Sequence, residues 1–392
     1  MFNNYQKEKV MKKKLFFITL LLVFALIACG GEEEEDDWGN DGDGGNSGNN
    51  EENGGWESQE DKPSKILKTE GFLHITALAF GLDDILYVGG AAKEESKKSD
   101  ALLVTFDAKG RELWRKQWDY QESADTVNYL VADKYGNIYV AGDTTNGDVP
   151  FVIKFAPDGT KIWEQFPELD FISASLALDN QQNVYISHNN EIVKYSTDGK
   201  KLQNYKISDE SSTVIKTLIV DSEGNLYAGG RTNTDLFSEN VGNDDSFLVK
   251  IAPDGTPFWG KQWGSENADW VKKILIGGNN SIFITSATYQ NGESDLEMFF
   301  KFSSDGKKMW GKTNMNGYLI TMCGDDIYMS NPSAKNGLID KYNSNGEYIA
   351  SSIEYESTFF HEIICNNNDI YAIISDTKGH TNIIKIPSSE IK

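Results

Sequence analysis

One cassette recurs seven times along this chain, and a chain of like units has to bury the faces of each unit on its neighbours. Every copy reads as an apolar strand, a short turn, a second strand with an aromatic at a fixed place, and a third apolar strand. The second-strand aromatics set the register: Tyr87, Tyr139, Tyr185, Tyr227, Phe283, Tyr328 and Tyr371. Turn residues that tolerate positive φ precede them, as in Tyr135-Gly136-Asn137, Gln182-Asn183, Gly224-Asn225, Asn279-Asn280 and Asn368-Asp369. The third strands fall at 102–106, 151–155, 191–195, 247–251, 298–302, 338–342 and 382–386. In six units a hairpin signal follows: Lys109-Gly110, Asp158-Gly159, Asp198-Gly199, Asp254-Gly255, Asp305-Gly306 and Asn345-Gly346. Four residues past those glycines stand Trp114, Trp163, Trp259 and Trp310, with Gln203 and Ala350 in units three and six.

A motif returning at a spacing of roughly 40–50 residues marks the blade of a β-propeller. The fold expected for residues 64–392 is therefore all-β, a seven-bladed β-propeller. The seventh unit stops after Ile386-Pro387 without a fourth strand, and Ser64-Lys65-Ile66-Leu67-Lys68 has no unit of its own. This N-terminal strand is expected to complete the last blade and close the ring, hiding the two edges an open solenoid would leave unpaired. Most Tyr, Phe, Ile and Val of the repeat are core in that arrangement.

At this point the residues carry a resemblance. The run Tyr135-Gly136-Asn137-Ile138-Tyr139-Val140-Ala141-Gly142, followed by 151–155, Asp158-Gly159 and Trp163, resembles the bacterial SBBP-type β-propeller repeat. The fourth unit matches through Gly224-Asn225-Leu226-Tyr227-Ala228-Gly229, Asp245-Ser246-Phe247 and Pro253-Asp254-Gly255. Units three, six and seven depart by losing the Trp or shortening loops. The resemblance implies a propeller in an extracytoplasmic setting and implies no reaction or ligand.

The N-terminus is read separately. Lys12-Lys13-Lys14 precedes an apolar run at 15–28, too short for a stop-transfer helix and suited to a secretory signal. It ends Leu26-Ile27-Ala28-Cys29-Gly30, which resembles the bacterial lipobox, so residues 1–28 are expected to be a lipoprotein signal peptide and Cys29 the lipid attachment site, carrying palmitate or similar chains. Three acyl chains would hold the protein in the membrane, at about 0.8 kcal/mol per buried methylene. Residues 29–63 are expected to be a disordered tether, because six acids in a row at 32–37 and a Gly/Asn-rich stretch bury too little apolar surface to offset chain entropy. Residues 1–28 carry five lysines and one glutamate and residues 30–61 thirteen acids and no base, leaving −14 of the formal −23 for residues 62–392. The acidic run after Cys29 also resembles surface-export signals of some Gram-negative lipoproteins. The setting expected is the outer membrane of the cell envelope, facing the periplasm or the surface.

An acidic body argues against nucleic acid and against anionic membrane surfaces, so the expected membrane contact is the lipid anchor only. Cys323 and Cys365 stand five and six residues before Tyr328 and Tyr371. An oxidising compartment permits a disulfide between them, but equivalent points on neighbouring blades are expected to be too far apart, which favours two buried thiols. His74, His188, His361 and His380 are read as lying in different units, and none sits in a His-Glu-x-x-His pattern. No Gly-x-Ser-x-Gly elbow is present. Gly89-Gly90, Gly229-Gly230 and Gly277-Gly278 lack a following helix and read as turns and close blade packing. Asp41-Gly42-Asp43 with Glu52 departs from a calcium loop at its fifth and sixth positions. The Asp recurring before the third strand (Asp100, Asp148, Asp245, Asp295) is expected to bond a turn amide. No catalytic residue, metal or cofactor is assigned.

Ligand-binding residues of a propeller come from loops joining second to third strands and loops between blades. These are unequal here, long at 91–99, 143–149, 231–244 and 289–294 and short in units three and six, as recognition surfaces are. Arg231, Thr232, Asn233, Phe237 and Asn240 form the richest cluster and are the candidate ligand-binding loop. The function expected is a non-enzymatic, monomeric scaffold lipoprotein holding a protein or glycan partner on its loop face. The alternative is a surface enzyme, a polysaccharide lyase or hydrolase with opposed carboxylates in the channel. The Gly-x-x-x-Trp outer strand also faintly resembles quinoprotein-type repeats, including outer-membrane assembly lipoproteins; the particular disulfide and metal-ligand set that such quinone enzymes carry is not expected here, which leaves the scaffold version of that resemblance.

Overall fold

The structure, a computed structural model, describes residues 55–59, 62–92, 98–120, 124–144, 149–167, 176–290, 293–313, 315, 317, 319–330, 336–352, 354–355 and 358–391. The signal segment, Cys29 and most of the tether lie outside them. Seven antiparallel sheets follow one another in chain order, six of four strands and one of five, as the repeat count requires. They form a seven-bladed β-propeller. In blade two the strands are Asp125–Ala132, Ile138–Thr144, Val149–Phe155 and Lys161–Gln165, paired in that order from the innermost strand outwards. The expected turns are found: Gly110, Gly159, Gly199, Gly255, Gly306 and Gly346 all have positive φ, as do Gly136, Gln182, Gly224, Asn279 and Asn368.

Antiparallel alternation puts the first-to-second and third-to-fourth turns on one face, here the lower. The second-to-third loops and the connections between blades lie on the upper face. The fixed aromatics are the centre of the packing: Tyr87, Tyr139, Tyr185, Tyr227, Phe283 and Tyr328 are fully buried or nearly so. Burying each contributes about 1.5–3 kcal/mol. Gly89 and Gly229 lie inside second strands, not in turns, and a Cβ on them would come within 2.5 and 2.9 Å of Val127 and Val271 of the next blade.

The Lys near the end of the third strand has a defined job. Lys154, Lys194, Lys250, Lys301, Lys341 and Lys385 each stand directly across from the aromatic of the second strand. Their ammonium groups lie 4.7–5.6 Å from those ring centroids, within cation–π range. Several then reach into the following blade, Lys154 to the Thr197 carbonyl at 3.1 Å and Lys301 to that of Ser344 at 2.9 Å. The fourth-strand Trp does the same. Trp114, Trp163 and Trp259 donate through Nε1 to the carbonyls of Pro157, Thr197 and Ser304 at 2.8, 2.9 and 3.2 Å, and the next blade's turn glycine sits on each ring.

This geometry accounts for the units that depart from the repeat. In unit three Gln203 keeps the bond, donating to the Asp254 carbonyl at 3.1 Å. Unit six faces blade seven, which has no third-to-fourth hairpin to hold, and the small Ala350 is buried there instead. Blade seven needs a Trp for the Lys109-Gly110 turn of blade one, and the N-terminal segment supplies it. Lys62–Leu67 pairs with Thr381–Pro387 (Ile66 opposite Ile384, Leu67 opposite Ile383), closing the ring as expected. A further strand, Trp56–Gln59, pairs outside it, with Trp56 opposite Leu67. The Trp56 ring packs edge-on to Tyr371 at 5.7 Å, and its amide donates to the Lys109 carbonyl at 3.3 Å. The ordered sheet thus begins inside the stretch expected to be tether up to residue 63. Acidic neighbours hid a Trp whose packing on Tyr371 and the Gly110 turn decides the matter.

Cys323 and Cys365 correct the sequence reading, because they form a disulfide with a Cα–Cα distance of 5.6 Å. Both lie on first strands, Leu319–Cys323 and Phe359–Asn366. Innermost strands converge on the axis, so equivalent points that are far apart at the rim are close there, within bridging range.

Candidate functional site: the central channel and its upper mouth

The first strands enclose a central cavity of about 500 Å³. Its lining includes Leu78, Tyr129, Leu176, Thr217, Lys273 and Glu362. Most of this wall is apolar, so its charges stand out. Glu362 accepts a bond from the Leu78 amide at 3.2 Å. Its carboxylate touches channel solvent yet lies deep in the protein, and burial raises it above the ordinary glutamate range, opposed by Lys273 and the Leu78 amide. Tyr129 is pushed up to about 12, first by burial and then by Asp143 and Glu362. The channel is polarised, with Lys273 of blade five on one side and Glu362 of blade seven on another.

Above this lining, five first strands carry a one-residue bulge at the same register, opposite the second and third residues past the fixed aromatic. The bulged residues are Thr76, Asn128, Lys216, Lys272 and His361. Each immediately precedes a lining position: Ala77, Tyr129, Thr217, Lys273 and Glu362. Bulges re-aim side chains and gather at barrel rims and binding sites. Three of the five are tied into the fold. Thr76 donates to the Val127 and Gly89 carbonyls, Asn128 donates to Asp143 at 2.9 Å, and His361 bonds Ser375 at 2.6 Å and is lowered by burial. The other two are lysines. Lys272 lies over the Trp270 ring at 4.7 Å. Lys216 is exposed at the mouth, and its ammonium is lowered by the protein packed around its base and then by repulsion from Arg231 and Lys272. Sequence reasoning missed this set, although Thr76, Asn128, Lys216 and Lys272 all stand eleven residues before the fixed aromatic and His361 ten.

The structure distributes the predicted loop residues unevenly. Arg231 and Thr232 end the second strand of blade four, Leu226–Thr232. Arg231 pairs with Asp244 at 2.7 Å, while its buried Nε has no hydrogen-bond partner. Thr232 is fully buried, bonded to Thr213 and Thr234 at 2.9 Å. Phe237 packs on Gly260 and its amide donates to Gln262 at 3.0 Å; the Asn240 amide donates to Asp235 at 2.8 Å. Thr232, Phe237 and Asn240 therefore hold the loop over the outer strand, and Asn233, Asp235, Ser238, Glu239, Val241 and Asn243 are its exposed residues. Asp245 takes the turn bond expected, from the Val241 amide at 3.2 Å, whereas Asp100 accepts from the Gln117 side chain at 2.8 Å. The Asp148 and Asp295 side chains lie outside the described residues, as do parts of the loops of units one, two and five. Two acids the sequence reading did not single out, Asp125 and Asp269, are fully buried and accept the amides of Tyr120 and Ser265 in the connections between blades. His361 and His380 belong to one blade, the seventh, rather than to different units. Among the described residues no group of three or more His, Cys, Asp and Glu could hold a metal ion.

No protein-family model matches the chain, and no curated protein matches it in sequence. Its fold matches solved propellers. Virginiamycin B lyase from Staphylococcus aureus superposes with a TM-score of 0.57 at 12% identity, over 83% of this chain and 98% of that one. BamB from Moraxella catarrhalis gives 0.51 at 14% identity, over 82% and 93%. The Cps50 (Swd1) propeller domain of Myceliophteria thermophila gives 0.56 at 11%, over 83% and 99%. A lyase and BamB share this scaffold, so the fold is common ground and function has to be argued from the site.

Proposed function

We propose that this chain is a lipid-anchored propeller lipoprotein of SBBP-repeat type in the cell envelope, tethered through Cys29. In this reading the propeller presents its upper face as a non-enzymatic scaffold to a protein or glycan partner. The observation that carries the binding role is the upper mouth, where re-aimed side chains and an ordered loop at 231–244 surround a cavity of about 500 Å³. The Cys323–Cys365 disulfide supports an oxidising compartment outside the cytoplasm. The channel's charged lining supports binding over glycoside hydrolysis: it is Glu362 with Lys273, whereas that chemistry uses two facing carboxyl groups.

The test has two arms on the full chain expressed in a bacterial host. Cys29→Ala is expected to move the protein from the membrane to the soluble fraction and to abolish labelling by a palmitate analogue; unchanged labelling contradicts the anchor. A panel of glycan and ester substrates is expected to be left intact, and turnover that is lost in Glu362→Gln replaces the scaffold reading with the enzyme one.

A further inference from the structure

The charge of this protein is acidic overall, at −23, yet one side of the channel mouth gathers cations. Lys216 and Lys272 occupy the same bulge position on the neighbouring first strands of blades four and five. Arg231 stands on the second strand of blade four, opposite Val214, and Lys273 follows Lys272 into the channel. Asp244 pairs with one arm of Arg231 at 2.7 Å. The buried Nε of the same guanidinium is left without a hydrogen-bond partner. A buried donor without an acceptor is costly, and like charges drawn together raise one another's energy further. The Lys216 ammonium is lowered first by the protein packed around its base and then by repulsion from Arg231 and Lys272. The first strands are the channel-side edges of their sheets, but the closed ring already keeps other chains from them, so edge protection alone does not call for lysines there.

We propose that the blade-four and blade-five side of the upper mouth is an oxyanion-binding site, where Lys216, Arg231 and Lys272 receive a carboxylate or phosphate group of a ligand that extends into the channel. Arginine supplies a planar fork and the lysines compact charges, a combination suited to such groups. Lys273 extends the positive wall inwards, and Glu362 across the channel selects against a second anionic group at depth. The ligand is therefore anionic at one end, with a neutral or cationic remainder sized to the cavity.

The proposal rests on the upper face being the binding face, but it can fail separately, because its probes require neither partner nor membrane. Calorimetric titration of the detergent-solubilised full chain with citrate and, separately, inorganic phosphate at low ionic strength is expected to give saturable binding of at least one. Binding by citrate alone assigns a carboxylate ligand, and binding by phosphate alone a phosphate ligand. The double variant Lys216→Gln/Lys272→Gln should weaken that binding at least tenfold with an unchanged melting temperature. Lys261→Gln, an exposed lysine on the outer strand of blade four, should bind as the parent does. No saturable binding of either anion, or equal binding by the double variant, overturns the site. Loss of partner capture with anion binding intact would instead count against the scaffold reading.

Discussion

The lower face of the disc repeats one set of contacts from blade to blade, whereas the upper face changes chemistry at each blade. Below, the Lys lies over its aromatic ring in blade after blade, and Trp114, Trp163, Trp259 and Gln203 each donate to a carbonyl of the next blade's turn. Above, equivalent bulge positions carry Thr76, Asn128, Lys216, Lys272 and His361. A position that serves stability tolerates few residue types, because the partner across the blade interface is fixed. A position that faces solvent and a cavity is free to diverge. The comparison separates what closes the ring from what the ring presents.

Three changes should sharpen or break that contrast. The largest effect is expected near the lower end of the axis, where Cys323→Ala/Cys365→Ala removes a cross-link spanning 42 residues. It should cost about 2–4 kcal/mol in urea unfolding without reductant. A loss near zero would mean that the ring holds blades six and seven together without the bridge. Next, Trp56→Ala should cost about 2 kcal/mol by removing the ring between Tyr371 and the Gly110 turn. It should also expose the segment before residue 60 to protease; an unchanged cleavage pattern contradicts its role as blade seven's latch.

The smallest effect has the opposite sign and lies in the channel. Burial raises the Glu362 carboxyl, so the folded protein holds that proton to higher pH than the unfolded chain does. Stability from this group is full below the unfolded glutamate value and falls as pH rises through the folded one. Glu362→Gln should therefore be more stable than the parent at neutral pH, by up to about 1 kcal/mol, with the difference vanishing near about pH 4. A destabilised variant at neutral pH would show that attraction to Lys273 and the Leu78 amide outweighs desolvation.

Much of the lower face was legible in the sequence, because its contacts lie within one repeat or between identical repeats. Tyr139, Lys154, Asp158-Gly159 and Trp163 keep their spacing, and the turn glycines have the positive φ that their position demands. The closing strand was legible too, since unit seven visibly lacked a partner for Ile383 and Ile384. Trp56 was not, because its acidic surroundings read as tether and its contacts, Tyr371 and Lys109, are supplied by the ring itself. The disulfide was missed for a geometric reason: spacing along the chain does not say how near the axis two residues sit. The mouth was missed because a bulge leaves no mark on hydrophobic alternation. The loop at 231–244 was found by length, but length could not say that Phe237 and Asn240 turn inwards and Asn233 outwards.

Everything depends on closure by the N-terminal strand, and hydrogen exchange at the amides of Ile66 and Leu67 tests it most directly. Paired with Ile384 and Ile383, they should exchange with the slowest amides of blade seven, through global unfolding only. Exchange of Ile66 and Leu67 at the rate of an unstructured peptide would show an open ring and remove the basis for the channel and its mouth.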